Sequence, residues 1–188
     1  MDVFTAFGLA ASAGLNAYIP LLVVSLLAKF TDLIKLGQPW DTLESWWVIG
    51  ILGVLSVIEF FADKVPAVNH INDAIQTFVR PAAGAVVFAA TSTQGVEVNP
   101  MFSLIAGLLV AGGVHAVKAL AIRPAVTATT GGAANIGVSM LEDATSTAVS
   151  FLSILLPVII ACILVLITSL VILKMGKKRH QQEPKQPA

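Results

Sequence analysis

Glu59 and Asp63 close an apolar run in the stretch IEFFADKVPAVNHIND, residues 58–73. Residues four apart share one face of a helix, so the two carboxylates point to the same side. Close carboxylates repel, and a bound cation or a shared proton relieves that repulsion. Asp63 and Lys64 also precede Val65-Pro66, where they read best as a charged anchor at the inner membrane border. Glu59 lies deeper, and an ionisable residue at membrane depth marks a functional position by default.

A second polar group falls in ANIGVSMLEDATSTAVSFL, residues 134–152. Glu142, Ser146 and Ser150 form one i,i+4 stripe, and Ser139, Asp143 and Thr147 form its neighbour. Lipid offers no hydrogen bonds, so such stripes must face protein or water. Serine and threonine bonds between helices would explain the hydroxyls, but the Glu–Asp pair fits a cavity lining better. Ser12, Asn16 and Pro20 make a third stripe. Pro20 cannot donate to the Asn16 carbonyl and crowds it, which predicts a kinked helix with a carbonyl able to meet an ion, water or a neighbouring helix. His115 stands alone among glycine and alanine. Arg80-Pro81 and Arg123-Pro124 recur on the same expected side, and arginine there serves as a border anchor or holds a phosphate or carboxylate. His70 and Asp73 lack a third ligand at metal-site spacing. They belong instead to an expected amphipathic interfacial helix over 66–80.

The elements that must carry these groups follow from composition. Of 188 residues 56% are hydrophobic and 12% charged, half the charge of an ordinary soluble domain. The expected fold class is an all-α integral membrane protein of about six transmembrane helices, at 3–28, 46–63, 81–95, 101–120, 133–153 and 155–175. A five-span alternative leaves 123–146 as a loop. With six spans and a cytoplasmic N-terminus, nine lysines and arginines fall inside (Lys64, Arg80, Lys118, Arg123 and five of the tail) against Lys29 and Lys35 outside. Five spans divide them seven to four, so six are preferred. Residues 1–175 read as one transmembrane domain, and 176–188 as a disordered cytoplasmic tail.

GLAASAGLNAYIPL at 8–21 aligns without a gap on GLLVAGGVHAVKAL at 107–120, with Asn16 opposite His115. One span later, Ser56-Val-Ile-Glu59 lies against Ser139-Met-Leu-Glu142. This suggests two inverted three-helix repeats, about 1–98 and 99–175, a plan common among transporters. Ala10-xxx-Gly14, Gly107-xxx-Ala111 and Gly112-xxx-Ala116 are small-residue pairs that favour close helix contact. The zero net charge gives no case for nucleic acid, and the lone Cys162 sits in an apolar run. MDVFTAF lacks a basic start, so no cleavable signal is expected. No catalytic triad, zinc, haem or phosphate-loop spacing is present, so neither an enzyme nor a cofactor is expected.

The strings GLNAYIPLL, EFFADKVPAVNHINDAIQTFVRPAAGA and SMLED resemble a bacterial multi-pass membrane family, domain of unknown function 4126, over nearly the whole chain. The resemblance implies a membrane protein and brings no activity. Glu59-Phe-Phe-Ala-Asp63-Lys64 is also similar in outline to the E-x-G-D-K-T motif of small bacterial cation exporters, but with one residue more between Glu and Asp and without the glycine.

The function expected is that of a small bacterial inner-membrane secondary transporter, dimeric, with both termini cytoplasmic. It would move a cation or small solute coupled to protons or ions. Glu59 and Glu142 would be the paired carboxylates, with Asn16, His115, Asp143 and Ser139 completing the lining. Asp63, Ser12, Ser146, Arg80 and Arg123 would be secondary. The alternatives are a lipid-binding, lipid-translocating or scaffolding protein using Arg80, Arg123 and the 66–80 helix, and a passive channel. Lipid bilayer and a small ion or solute are the expected partners.

Overall fold

Where helices meet, this chain uses its small residues, and its large apolar ones point outward. The computed structural model describes residues 3–64, 66–92 and 98–180, the side chains of 66–70, 161 and 170–180 excepted. Its elements are α1 (Val3–Leu15), α2 (Tyr18–Phe30), a 3-10 turn (Trp40–Glu44), α3 (Trp46–Ala62), α4 (Pro66–Ser92), α5 (Pro100–Val117), a π-helical turn (Lys118–Ile122), α6 (Arg123–Thr130) and α7 (Asn135–His180). No strand occurs among the described residues. The chain divides into two compact units, Met1–Ile154 and Leu155–Ala188.

In the first unit α1, α4 and α5 pack on one another, and α2 packs on α3. The core is mostly alanine and valine (Ala6, Ala10, Ala13, Ala83, Val87, Ala111) with Leu9 and Phe88. A Cβ added at Gly84 would collide with the Gly107 carbonyl and the Ala111 methyl, and one at Gly107 with the Gly84 carbonyl. The backbones of α4 and α5 therefore approach closely, as the Gly107-xxx-Ala111 pair leads one to expect. Gly14 lets α1 approach the Ala111 carbonyl in the same way.

The polarity is inverted relative to a water-soluble bundle. Along α4, Gln76 and Arg80 are buried while Ile71, Ile75 and Phe78 are exposed. Water would force the opposite arrangement, so this pattern suits a lipid surround. Three helical stretches are long and apolar enough to cross a membrane: Ile71–Ser92, Pro100–Thr130 and Asn135–Ser169. Helices α1, α2 and α3 are apolar but shorter.

Three expected elements differ. The interfacial helix over 66–80 and the span at 81–95 form one helix, α4, which continues through Pro81. Over 71–80 the helix is amphipathic, but the face that is buried carries Gln76 and Arg80, because the carboxylate partners of Arg80 lie inside the bundle. The spans at 133–153 and 155–175 are likewise one helix, α7, continuing through Pro157. Proline removes the hydrogen bond to the carbonyl four residues earlier, here that of Ser153. Thr5 Oγ1 donates to that carbonyl at 2.9 Å, so it keeps a partner and the helix does not end. Conversely, the first expected span is split at Asn16-Ala17 into α1 and α2, of 13 residues each. In the second unit the stretch 155–169 of α7 displays Leu156, Ile160, Ile163, Leu164 and Leu166, all exposed, as is Cys162.

Candidate functional site

The buried side of α4, the ends of α3 and α5, and the start of α7 place their charged residues together. Arg80 Nη2 donates to Glu59 Oε1 at 2.8 Å, with both side chains 1% exposed. The same nitrogen is 3.7 Å from Asp63 Oδ2. Arg123 reaches Asp63 Oδ2 at 3.2 Å, Glu142 Oε2 at 3.4 Å and both oxygens of Asp73 at 2.8 Å. Lys118 Nζ lies 2.6 Å from Glu142 Oε2. Three basic residues and four carboxylates thus form one connected, largely dry network. In a low-dielectric interior each such charge is tolerable only when paired and hydrogen-bonded.

Neutral groups extend it. Asn72 donates to Asp63 Oδ1, and Ser139 Oγ donates to Asp63 Oδ2 at 3.3 Å. His115 Nδ1 is 3.4 Å from Arg80 Nη1, and its Nε2 is 3.2 Å from Thr77 Oγ1. Two carboxylate oxygens, Glu59 Oε2 and Glu142 Oε1, are buried without a hydrogen-bond partner among the described residues. Unsatisfied buried acceptors of this kind are rare in folded proteins.

The break in the first span has its own chemistry. Asn16 Oδ1 accepts from the backbone N–H groups of Tyr18 and Ile19, both at 3.1 Å, capping the N-terminus of α2. Its Nδ2 donates to Asp143 Oδ1 at 3.0 Å, and Lys64 Nζ is 3.3 Å from Asp143 Oδ2. Asn16 therefore holds the break and ties it to α7. Below it, the Ser12 hydroxyl lies 2.8 Å from that of Ser146 and 2.7 Å from that of Ser150. Of the two stripes expected on α7, Glu142, Ser146 and Ser150 are buried, as is Ser139, whereas Thr147 is exposed.

Several sequence-based expectations are revised by this geometry. Asp63 is not a border anchor, since it is buried among Arg80, Arg123, Asn72 and Ser139. Arg80 and Arg123 are not headgroup holders at an interface: both are buried, facing carboxylates of their own chain. Glu59 and Glu142 each have a basic partner, Arg80 and Lys118. The side chain of His70 lies outside the described residues.

Lys118 was missed as a site residue because α-helical spacing hides it. In an α-helix residues five apart point about 140° away from each other. Lys118 and Arg123 bracket the π-helical turn, in which i→i+5 bonding stacks residues five apart. Both consequently reach Glu142. Asp73, Asn72 and Thr77 were hidden by the assignment of 66–80 to the interface.

The family model described as Domain of unknown function (DUF4126) matches residues 3–177, so the chain belongs to that family. No curated protein and no solved structure matches it.

Proposed function

For this member of the family, we propose a small secondary transporter of the bacterial inner membrane, moving a cation or small solute coupled to protons or ions. The observation that carries this reading is the buried network joining Glu59, Asp63, Arg80, Lys118, Arg123 and Glu142. A purely structural core is better served by apolar side chains, since exchanging a buried ion pair for well-packed apolar residues is often neutral or stabilising. Charge kept at such cost inside an apolar bundle suits a site that takes up and releases ions.

Two backbone irregularities support the inverted-repeat plan within it. The break at Asn16-Ala17 and the π-helical turn from Lys118 fall close to corresponding points of the match between 8–21 and 107–120. Broken helices whose termini meet a midplane site are a recurrent device of transporters. In the lipid-handling alternative, Arg80 and Arg123 would face headgroups, and their burial leaves that reading without its main groups.

The test is flux into proteoliposomes holding only this protein, across a panel of cations with and without a pH gradient. Saturable, proton-dependent uptake that is lost in Glu59→Gln and Glu142→Gln supports transport. Absence of flux with phospholipid retained through purification supports lipid handling, and unsaturable flux indifferent to the gradient supports a channel.

A further inference from the structure

Two buried carboxylates of α3 and its C-cap share one guanidinium, and only one of them has an empty oxygen. In the network Arg80, Lys118 and Arg123 stand against Glu59, Asp63, Asp73 and Glu142. Arg123 and Asp73 meet through both carboxylate oxygens at 2.8 Å and cancel each other. Arg123 also reaches Asp63 and Glu142 but brings no second charge. Lys118 lies against Glu142 at 2.6 Å. Glu59 and Asp63 are left with Arg80, whose Nη2 is 2.8 Å from one and 3.7 Å from the other. Their side chains are 1% and 2% exposed, and an uncompensated charge in so dry a place costs far more than a neutral acid.

Where a proton could go is decided by the donors already in place. Both oxygens of Asp63 are occupied, Oδ1 by Asn72 and Oδ2 by Ser139 and Arg123, so a proton there would oppose a donor. Asp73 is taken on both oxygens by Arg123. Glu142 has a free Oε1, but a proton there would deprive two cations, Lys118 and Arg123, of their carboxylate. A guanidinium carries donors only, so His115 Nδ1, 3.4 Å from Arg80 Nη1, is the lone-pair nitrogen and the ring proton sits on Nε2 toward Thr77. A proton added at Nδ1 would point at the guanidinium. Besides Arg80 and Asp63, the ionisable groups that face Glu59 are Lys118, committed to Glu142, and Tyr18 of α2, whose hydroxyl already holds its proton. Glu59 differs from them all. Arg80 holds its Oε1 alone, and Oε2 is buried without a hydrogen-bond partner among the described residues.

From these occupied and empty oxygens we infer that Glu59 Oε2 is the proton-binding atom of the network, and that its protonation passes Arg80 from Glu59 to Asp63. A proton from water forms an O–H bond at Oε2, and Glu59 becomes a neutral acid with no other covalent bond changed. Arg80 keeps its charge and turns to the carboxylate that keeps its own, Asp63, already within 3.7 Å of the same nitrogen. Arg80, Lys118 and Arg123 are then balanced by Asp63, Glu142 and Asp73. Nη1 of the moving guanidinium faces His115, so the change reaches α5 as well as α3. A metal ion is the poorer neutraliser, since no group of three or more His, Cys, Asp or Glu able to hold one occurs among the described residues.

This inference rests on the transport reading and names the atom that takes the coupling proton, but proton binding and flux can fail separately. Infrared difference spectra of the full chain in nanodiscs are recorded stepwise from alkaline to acidic pH, in H2O and in D2O. The expected signal is the carbonyl stretch of one buried carboxylic acid, shifted in D2O, rising as a single proton binds and lost in Glu59→Gln. In Asp63→Asn the same signal should remain with proton affinity weakened about tenfold or more, because Arg80 then serves Glu59 alone. Should a variant fail to fold, the wild-type chain carrying 13C at its glutamate carboxyls decides, since the band must then move. A band that survives Glu59→Gln, or moves only with labelled aspartate, overturns the inference. So does proton affinity unchanged in Asp63→Asn, or no such band while the chain stays folded. The Glu59 band without proton-coupled flux refutes transport and leaves the proton site. Proton-coupled flux without the band refutes the proton site and leaves transport.

Discussion

Arg80 and Glu59 meet at 2.8 Å where neither side chain sees solvent, and Arg80 is at the same time the nearest cation to His115 Nδ1 among its bonded partners. One guanidinium therefore neutralises a carboxylate on α3 while holding the imidazole on α5.

Removing that guanidinium alone should be severe. Arg80→Met leaves Glu59 uncompensated in a dry site, which costs about 3–5 kcal/mol. Removing both charges should restore much of the loss. Melting temperatures in detergent for Arg80→Met, Glu59→Met and the double variant form the cycle. We expect the double variant to melt above Arg80→Met, and strict additivity would contradict the pairing.

Asn16 should act through the break and not through the core. Asn16→Ala removes the cap on α2, worth about 1 kcal/mol, and the bond to Asp143. A modest fall in melting temperature with a larger fall in flux is expected. Equal flux per folded molecule would remove Asn16 from the site.

The close contact between α4 and α5 predicts a sharp contrast between two glycines of the same helix. Gly107→Ala meets the Gly84 carbonyl, whereas Gly113→Ala meets nothing within 4 Å. Overpacking costs about 1–3 kcal/mol, so the first should lower the yield of monodisperse protein and the second should leave it unchanged. Size-exclusion chromatography of both variants reads this directly.

Cys162 reports on the second unit. It is exposed on an apolar stretch of α7, and thiols react as thiolates, which a lipid surround suppresses. A charged, impermeant maleimide should leave it unlabelled in sealed vesicles from either side and label it after unfolding in dodecyl sulfate. Prompt labelling before unfolding would place this stretch in water.

Fold class was legible from hydropathy because lipid selects for length and apolarity, both of which are linear in sequence. Helix ends were less so. Pro81 and Pro157 look like boundaries, yet α4 continues on the packing of Ala83, Val87 and Phe88 against its neighbours, and α7 continues where Thr5 takes up the orphaned Ser153 carbonyl. Glu59, Glu142, Asn16, Asp143 and Ser139 were found by asking which polar groups a membrane would not tolerate alone. Of their basic partners, Arg80 and Arg123 enter only as secondary residues and Lys118 not at all, because lysine and arginine near span ends invite a topological explanation. The positive-inside count takes Arg80, Lys118 and Arg123, together with Lys64, as markers of the inner face. Their positions answer to carboxylates, and setting them aside leaves five tail charges against Lys29 and Lys35.

The division of the first span into α1 and α2 also bears on how the protein is made. Each half is only about 20 Å long by helical rise, too short for a ~30 Å hydrocarbon layer. The residue that joins them, Asn16, finds its side-chain acceptor on Asp143, which leaves the ribosome 127 residues later. Until then the carboxamide N–H groups at the break have no such partner, and the opening span waits on nearly the whole of translation to be completed. Truncation before α7 would thus remove the acceptor of the Asn16 carboxamide along with the helix itself.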